Sequence, residues 1–515
     1  MSGAQDTRLF EFLSFEPARI IEQLRLVAPP LRKPSVVFRQ LMWVIECAKQ
    51  LGCQSTILEQ RYIDRDHIED HHVFYSKSRH PYPNYCQRLH FLAVAPEEAR
   101  ARVRTLLEAG IASGAGEFRA GCQDFSEKVY LGFSVIRPLH GTPVGRTVLR
   151  YRAPKDVESR VNVREYTVHI AGLELEVPGL AFQQQDVGVS ACATTAIWSA
   201  LQQFHKHTNI SAITPAHITS LAAKHSLSGR LMPSEGLNLE QMCFALDSLG
   251  VTPHLFSVEK RPLPARSILD AAIKSDTTPI LLLQKKSADG ETAHAVTVVG
   301  GHYARTHSVT ALRGADGVPL GDDLSADLKA LVVHDDRFGP YIRSELSVGK
   351  DGPEVLLPHE KQPQRLIPWP LTHVLVPTHP KVRLSLTDLQ SIAAHGLSIV
   401  NGTLGYQPSK DHPLTAVECW FKRPHQYFHR LFLRQPGRLA EDLLRFHNEV
   451  VLPRYVGVVS LRSGEIGLLH LLVDVTSTLQ NPHFLAVIPV QRAQHTNVVA
   501  ESLAREFQCK MMLLS

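Results

Sequence analysis

Between residues 190 and 334 the helix signals come first and the strand signals last, and this order limits the folds open to the chain. One helix starts near Ser190 and runs to about His205. A second follows Thr214-Pro215, an N-cap residue ahead of a proline at the first helical position. A third covers residues 238–249 and stops at Gly250, a C-cap signal, and a fourth begins at Ser267. Apolar, strand-like runs then take over at residues 279–283, 294–299 and 331–334. Helix signals followed by strand-like runs read as an α+β unit.

The flanks read the same way. In residues 1–160, positions 16–26 and 36–51 carry helix-like apolar spacing, 55–62 alternates as a strand, and 96–107 is a helix with Glu97 and Glu98 on its polar side. Strands at 129–138 and 146–151 join through a Gly141-Thr142-Pro143 turn. Residues 161–348 form the second unit, opening on a hairpin over 166–177 that turns at Ala171-Gly172. Residues 349–370 are proline-rich and read as a linker or an extended crossing segment. The third unit, 371–515, is again α+β, with a hairpin of residues 455–461 and 466–475 around Ser463-Gly464. A length of 515 residues accommodates these three units at about 100–200 residues each.

Composition excludes several classes. A hydrophobic content of 44% supports a sizeable core. A net charge of +5 is too small for a nucleic-acid surface. No apolar run approaches the roughly 18 residues of a membrane span, and no basic segment leads into an apolar one at the N-terminus. The expectation is a cytoplasmic protein without nucleic-acid or membrane partners.

The eight cysteines are scattered and form no C-x-x-C pair, so neither a disulfide framework nor a zinc ribbon is indicated. Cys192 stands apart from the rest. It follows Ser190, a plausible N-cap, and falls in the first turn of a helix, where the dipole and unpaired N–H groups favour a thiolate. Gln185 lies seven residues earlier, with Gln184 and Gln183 beside it. A side-chain amide there would donate to an oxyanion together with the Cys192 N–H. About 100 residues on, His294 opens an apolar strand, the position of a general base. Asp335 and Asp336 end the next strand, where one carboxylate would orient the imidazole. Adjacent strand residues face opposite sides, so only one is expected to reach His294.

Glutamine, cysteine on a helix, histidine on a strand and an acid on the following strand resemble, in that order, the papain-like cysteine peptidases. The short interval from Cys192 to His294 is similar to the compact bacterial branch that includes bacteriocin leader-processing peptidases. Asp336-Arg337-Phe338-Gly339 resembles the Asn-Ser-Trp-Gly of that superfamily. The resemblance covers the central unit alone, and alanine follows the cysteine where glycine or tryptophan is usual. It implies attack of Cys192 on an amide or thioester carbonyl, with His294 as base, Asp336 or Asp335 as orienting acid, and Gln185 or Gln184 at the oxyanion. It requires no metal or organic cofactor and implies a peptide or protein substrate, with the flanking regions free to recruit partner proteins. An acyltransferase, transglutaminase-like or amidase activity uses the same fold, and an inactive binding scaffold is a further alternative.

Two other features carry weaker chemistry. His67, His71 and His72 mix with Asp66, Glu69 and Asp70 on a helix, but no third ligand follows at metal spacing, so a solvated or partner-facing helix is expected. Residues 141–147 have the wrong glycine spacing for a phosphate loop and read as a strand connection.

Overall fold

In the computed structural model the described residues are 10–24, 39–112, 115–139, 141–186, 191–204, 213–224, 236–258, 265–287, 290–304, 310–313, 319–350, 352–359, 362–404, 415–433, 439–463, 466–477, 483–490 and 494–511. They form an α+β fold. The first sheet is an antiparallel meander in sequence order: β1 Phe10–Ser14, β2 Ser55–Tyr62, β3 Cys86–Leu92, β4 Tyr130–Ile136 and β5 Val144–Leu149. Helices α1 Pro17–Leu24, α2 Arg39–Gln50, α3 Arg65–Val73, α4 Pro96–Ala112 and α5 Ala115–Lys128 lie in its connections. Gly132 lets β4 and β5 approach, since a Cβ there would stand 2.1 Å from the Val148 carbonyl oxygen.

Helix α3 departs from expectation. Asp66, His67 and Asp70 are buried rather than solvated. Asp64 caps the helix by accepting from the Asp66 and His67 N–H groups, each at 3.0 Å. His67 and His71 bond through Nε2 to the Pro83 and Tyr82 carbonyls at 3.0 Å. Asp66 pairs with Arg146 at 2.7 Å, and Asp70 accepts from the Ala216 N–H at 3.2 Å. Asp66 and the two histidines therefore tie the helix to its own unit, and Asp70 fastens it to the second, because each buried polar group needs a partner.

β6 Glu158–Val161 leaves the first unit and pairs with β11 Gly290–Tyr303. Gly300 makes that pairing possible: a Cβ would lie 2.3 Å from the Arg160 carbonyl oxygen. The predicted hairpin is present as β7 Arg164–Ile170 and β8 Leu173–Gly179, buried at every second residue. Ala171 and Gly172 take left-handed φ values of 50° and 91°, as a two-residue hairpin loop demands.

Four helices lie where the sequence predicts them, α6 Cys192–Leu201, α7 Pro215–Ala223, α8 Leu239–Ser248 and α9 Ala265–Lys274, with a strand the sequence did not mark between α8 and α9. Thr214 caps α7 by accepting from the His217 N–H at 3.2 Å, and Asn238 forms a reciprocal capping box with Gln241 at α8. Such caps each contribute about 1 kcal/mol. The strands β9 Thr252–Ser257, β10 Ile280–Ser287, β11, β14 Leu328–Asp335, β15 Gly339–Gly349, β16 Gly352–His359 and β17 Gln362–Thr378 build the central sheet. β17 pairs with β16 over its first half and with β10 and β9 over its second. The β10–β17 pairing closes β10, β11, β14, β15, β16 and β17 into a six-stranded antiparallel barrel.

This overturns the linker reading of residues 349–370. Their prolines interrupt the alternation in the sequence, but Val355, Leu357, Trp369 and Leu371 are all buried in the barrel. The register shifts where Pro358 gives way to His359, an irregularity that accommodates a residue without an N–H. The third unit begins after Thr378 rather than at 371. Its sheet runs β12 Thr310–Arg313, β13 Pro319–Asp323, β18 Thr415–Lys422, β19 Val456–Ser463, β20 Ile466–Asp474, β21 His483–Pro489 and β22 Lys510–Met511. Its first two strands come from the stretch assigned to the second unit. The predicted hairpin is β19 and β20, although Gly464 lies outside the described residues. Apolar cores also cross the boundaries. One runs from Ile57 and Phe133 through Trp198 to Ala295, another from Val296 and Val333 to Val459 and Val487. No described helix is long and apolar enough to cross a membrane.

Candidate active site

Cys192 is the first residue of α6. Ala191 occupies the N-cap position with extended backbone and supplies no side-chain cap; Ser190, the expected cap, and His205, the expected helix end, lie outside the described residues. The sulfur thus stands at a helix end whose first N–H groups have no partner within the helix. Residues 193–201 are small or apolar on all sides and are entirely buried. Side-chain hydroxyls fix this helix against its surroundings. Thr297 donates to the Ala196 carbonyl at 2.9 Å, Thr278 to the Ala200 carbonyl at 2.7 Å and Ser199 to the Ala181 carbonyl at 2.8 Å. The first of these ties α6 to β11, the strand that carries His294.

Cys192 lies beside His294, close enough for its thiol to be one of the side chains that raise the imidazole. His294 Nε2 donates to Asp335 Oδ1 at 3.0 Å, and Asp335 is fully buried. Asp335 Oδ1 also accepts from the Arg337 N–H at 3.0 Å, the local turn that an aspartate makes two residues ahead of itself. Burial alone would depress the imidazole. Attraction to Asp335, the bond to it and the Cys192 thiol outweigh that and raise His294 to about 10. Burial pushes Asp335 upward as well, but the His294 charge and hydrogen bond hold it below the usual carboxylate value. Arg337 Nε comes within 3.3 Å of the same ring nitrogen. Nε2 already gives its proton to Asp335, so this is a packing contact between two donors, and the guanidinium lies over Trp369 at 4.7 Å. Trp369 also faces His294, ring centres 5.8 Å apart.

Asp336, the acid favoured by the motif resemblance, is 3.8 Å from His294 Nε2 and does not bond it. It does not point away either. β14 ends at Asp335 and turns, with the Phe338 N–H bonded to the Asp335 carbonyl at 2.9 Å, so strand alternation stops before Asp336. Asp336 instead lines a narrow cavity of about 10 Å³ together with Cys192, Gln183 and His334. Burial, reinforced by Asp335 and opposed by His294, raises its carboxyl to about 7.

The glutamine assignment changes too. Phe182 exchanges two backbone hydrogen bonds with Thr147, and the Gln184 N–H bonds the Val144 carbonyl, so this segment is extended. Gln184 turns its amide to the β4–β5 connection, accepting from the Val144 N–H and donating to the Gly141 carbonyl at 3.3 Å. Gln185 is half-buried and does not line the cavity. Gln183, facing opposite to Gln184, brings its amide to the Cys192 cavity, and its Nε2 is buried without a partner.

Residues from the first unit complete the surroundings. Gln40 donates to the Arg337 carbonyl at 3.0 Å, and Trp43 Nε1 donates to the Pro340 carbonyl at 2.8 Å. A Cβ on Gly339 would collide with Trp43 at 2.2 Å. Helix α2 therefore grips the turn that bears both aspartates. No local pattern marks Gln40 or Trp43, since their partners lie almost 300 residues away.

Among the described residues, His294, Asp335 and Asp336 are the group close enough to hold a metal ion. Of the other cysteines, burial pushes Cys47 and Cys53 up to about 12 and Cys509 to about 11, and raises Cys86, Cys122 and Cys243. No protein-family model matches the chain, and no curated protein is similar to it in sequence.

Proposed function

We propose that this protein is a cysteine hydrolase with a papain-like arrangement of its central unit, cleaving an amide or thioester through an acyl-Cys192 intermediate. The observation that carries the reading is the convergence of a helix and two strands on one point, with Cys192 beside His294, His294 bonded to Asp335, and Gln183 lining the same cavity as Cys192. Cys192 attacks the carbonyl carbon. His294, held in one tautomer by Asp335, returns a proton to the leaving group and then activates water. Gln183 Nε2, buried and without a protein acceptor, supports the oxyanion. A buried donor lining the same cavity as the thiol is what an oxyanion site needs, and it supports the enzyme reading. Transfer to an amine instead of water would use the same groups.

The test is covalent labelling of the native protein with a thiol-directed acylating probe, with the modified peptide mapped. The expected result is modification at Cys192, lost in Cys192→Ala and strongly slowed in His294→Ala. Equal labelling of Cys192 in the presence and absence of the His294 ring would overturn the reading.

A further inference from the structure

Asp336 is the buried ionisable group that the Cys192–His294–Asp335 chain leaves unused. It is 3% exposed, and neither of its carboxyl oxygens has a hydrogen-bond partner. Gln183, Thr195 and His334, which line the same cavity, also carry buried polar atoms without partners. A cavity lined this way suits a polar occupant. The charged and titratable groups around Asp336 are His294 on β11, His334 and Asp335 on β14, Arg337 beyond it in the turn, Cys192 on α6, and Arg39 of α2, which lies over Phe338 at 5.7 Å.

An ionised Asp336 would set a second negative charge beside both the thiolate and the oxyanion and oppose the reaction. A neutral Asp336 has an O–H and no protein acceptor for it. We propose that Asp336 is a neutral hydrogen-bond donor in the oxyanion site of Cys192, paired with the Gln183 amide and serving a carbonyl substrate. This rests on Cys192 being the nucleophile. In the step concerned, a C–S bond forms and the carbonyl π pair moves onto oxygen, which accepts from the Asp336 O–H and the Gln183 N–H. Collapse returns the pair, breaks the bond to the leaving group and sends the His294 proton to it. Asp336 keeps its own proton throughout. Burial and Asp335 together hold its carboxyl up to about 7, so the donor is lost as pH rises through that value.

Two reagents separate this role from general reactivity of the thiol. Acylation by p-nitrophenyl acetate passes through an oxyanion; alkylation by iodoacetamide does not. Both rates at Cys192 are measured on the full-length protein by mass spectrometry between about pH 5.5 and 9, in wild type, Asp336→Ala and Asp336→Asn. Asp336→Ala is expected to slow acylation about 100-fold while alkylation changes less than about threefold. Asp336→Asn keeps an N–H donor, should stay within about tenfold of wild type, and should lose the fall in acylation relative to alkylation above about pH 7. Unchanged acylation in Asp336→Ala would overturn the proposal alone. An Asn variant as slow as Ala would do the same, by showing that a negative charge, as for binding a substrate ammonium, is what matters. A wild-type Cys192 inert to iodoacetamide would overturn the nucleophile reading and this proposal with it.

Discussion

A carboxylate 3.0 Å from His294 Nε2 orients the ring and favours its cationic form. Asp335→Asn should therefore bring the His294 titration, followed by NMR, well down from about 10 and slow substrate turnover by about 100-fold or more. A ring still cationic above pH 8 in that variant would show that Asp335 is not the partner. Alkylation at mildly acidic pH should also reach Cys192 about tenfold or more ahead of Cys47, Cys53 and Cys509, whose thiols burial holds protonated; uniform labelling on peptide mapping would count against it. The cysteine, the histidine and the aspartate pair were legible in the sequence because each sits at the edge of a well-marked element. Which aspartate and which glutamine serve was not. That depends on where β14 stops and on the phase of a short extended segment, and a one-residue shift in either exchanges the faces.

At the scale of elements, the helices and most strands follow from caps, alternation and turn residues, as Thr214-Pro215, Asn238 with Gln241, and Ala171-Gly172 illustrate. The failures are β16 and β17, where prolines mask a pattern that only the closed barrel reveals. Hydrogen exchange should find the amides of Val355 and Trp369 as protected as those of Leu281 and Leu283. Fast exchange there would reinstate a linker. The grip of α2 on the aspartate turn was invisible to local reasoning, and it carries its own forecast. Trp43→Ala should cost about 3 kcal/mol in denaturant unfolding and also slow acylation of Cys192, because the turn loses its anchor at Pro340. A stability loss with unchanged acylation would reduce α2 to packing alone.

For the molecule as a whole, the site makes stability depend on pH in a definite direction. His294, raised to about 10, contributes fully below its unfolded value of about 6.5 and loses that contribution as pH climbs through 10. Asp335, held low, contributes above its unfolded value of about 3.9 and loses it as pH falls through the folded one. Asp336, raised to about 7, favours the folded state at low pH and forfeits this as pH rises from about 4 to 7. Asp336→Asn should thus be more stable than wild type at pH 8, with the advantage shrinking toward pH 4 in denaturant titrations; a constant difference would exclude a titrating Asp336. The barrel adds a constraint in time. Trp369, which covers His294 and Arg337, and the β17 pairing that closes the barrel belong to a strand that ends at Thr378, about 80 residues after the histidine. At a synthesis rate of about 5–20 residues per second, the nascent chain carries its thiol and its base for roughly 4–16 seconds before that wall exists. If Cys192 acts as proposed, the wall beside its base is the last part of the site to be made.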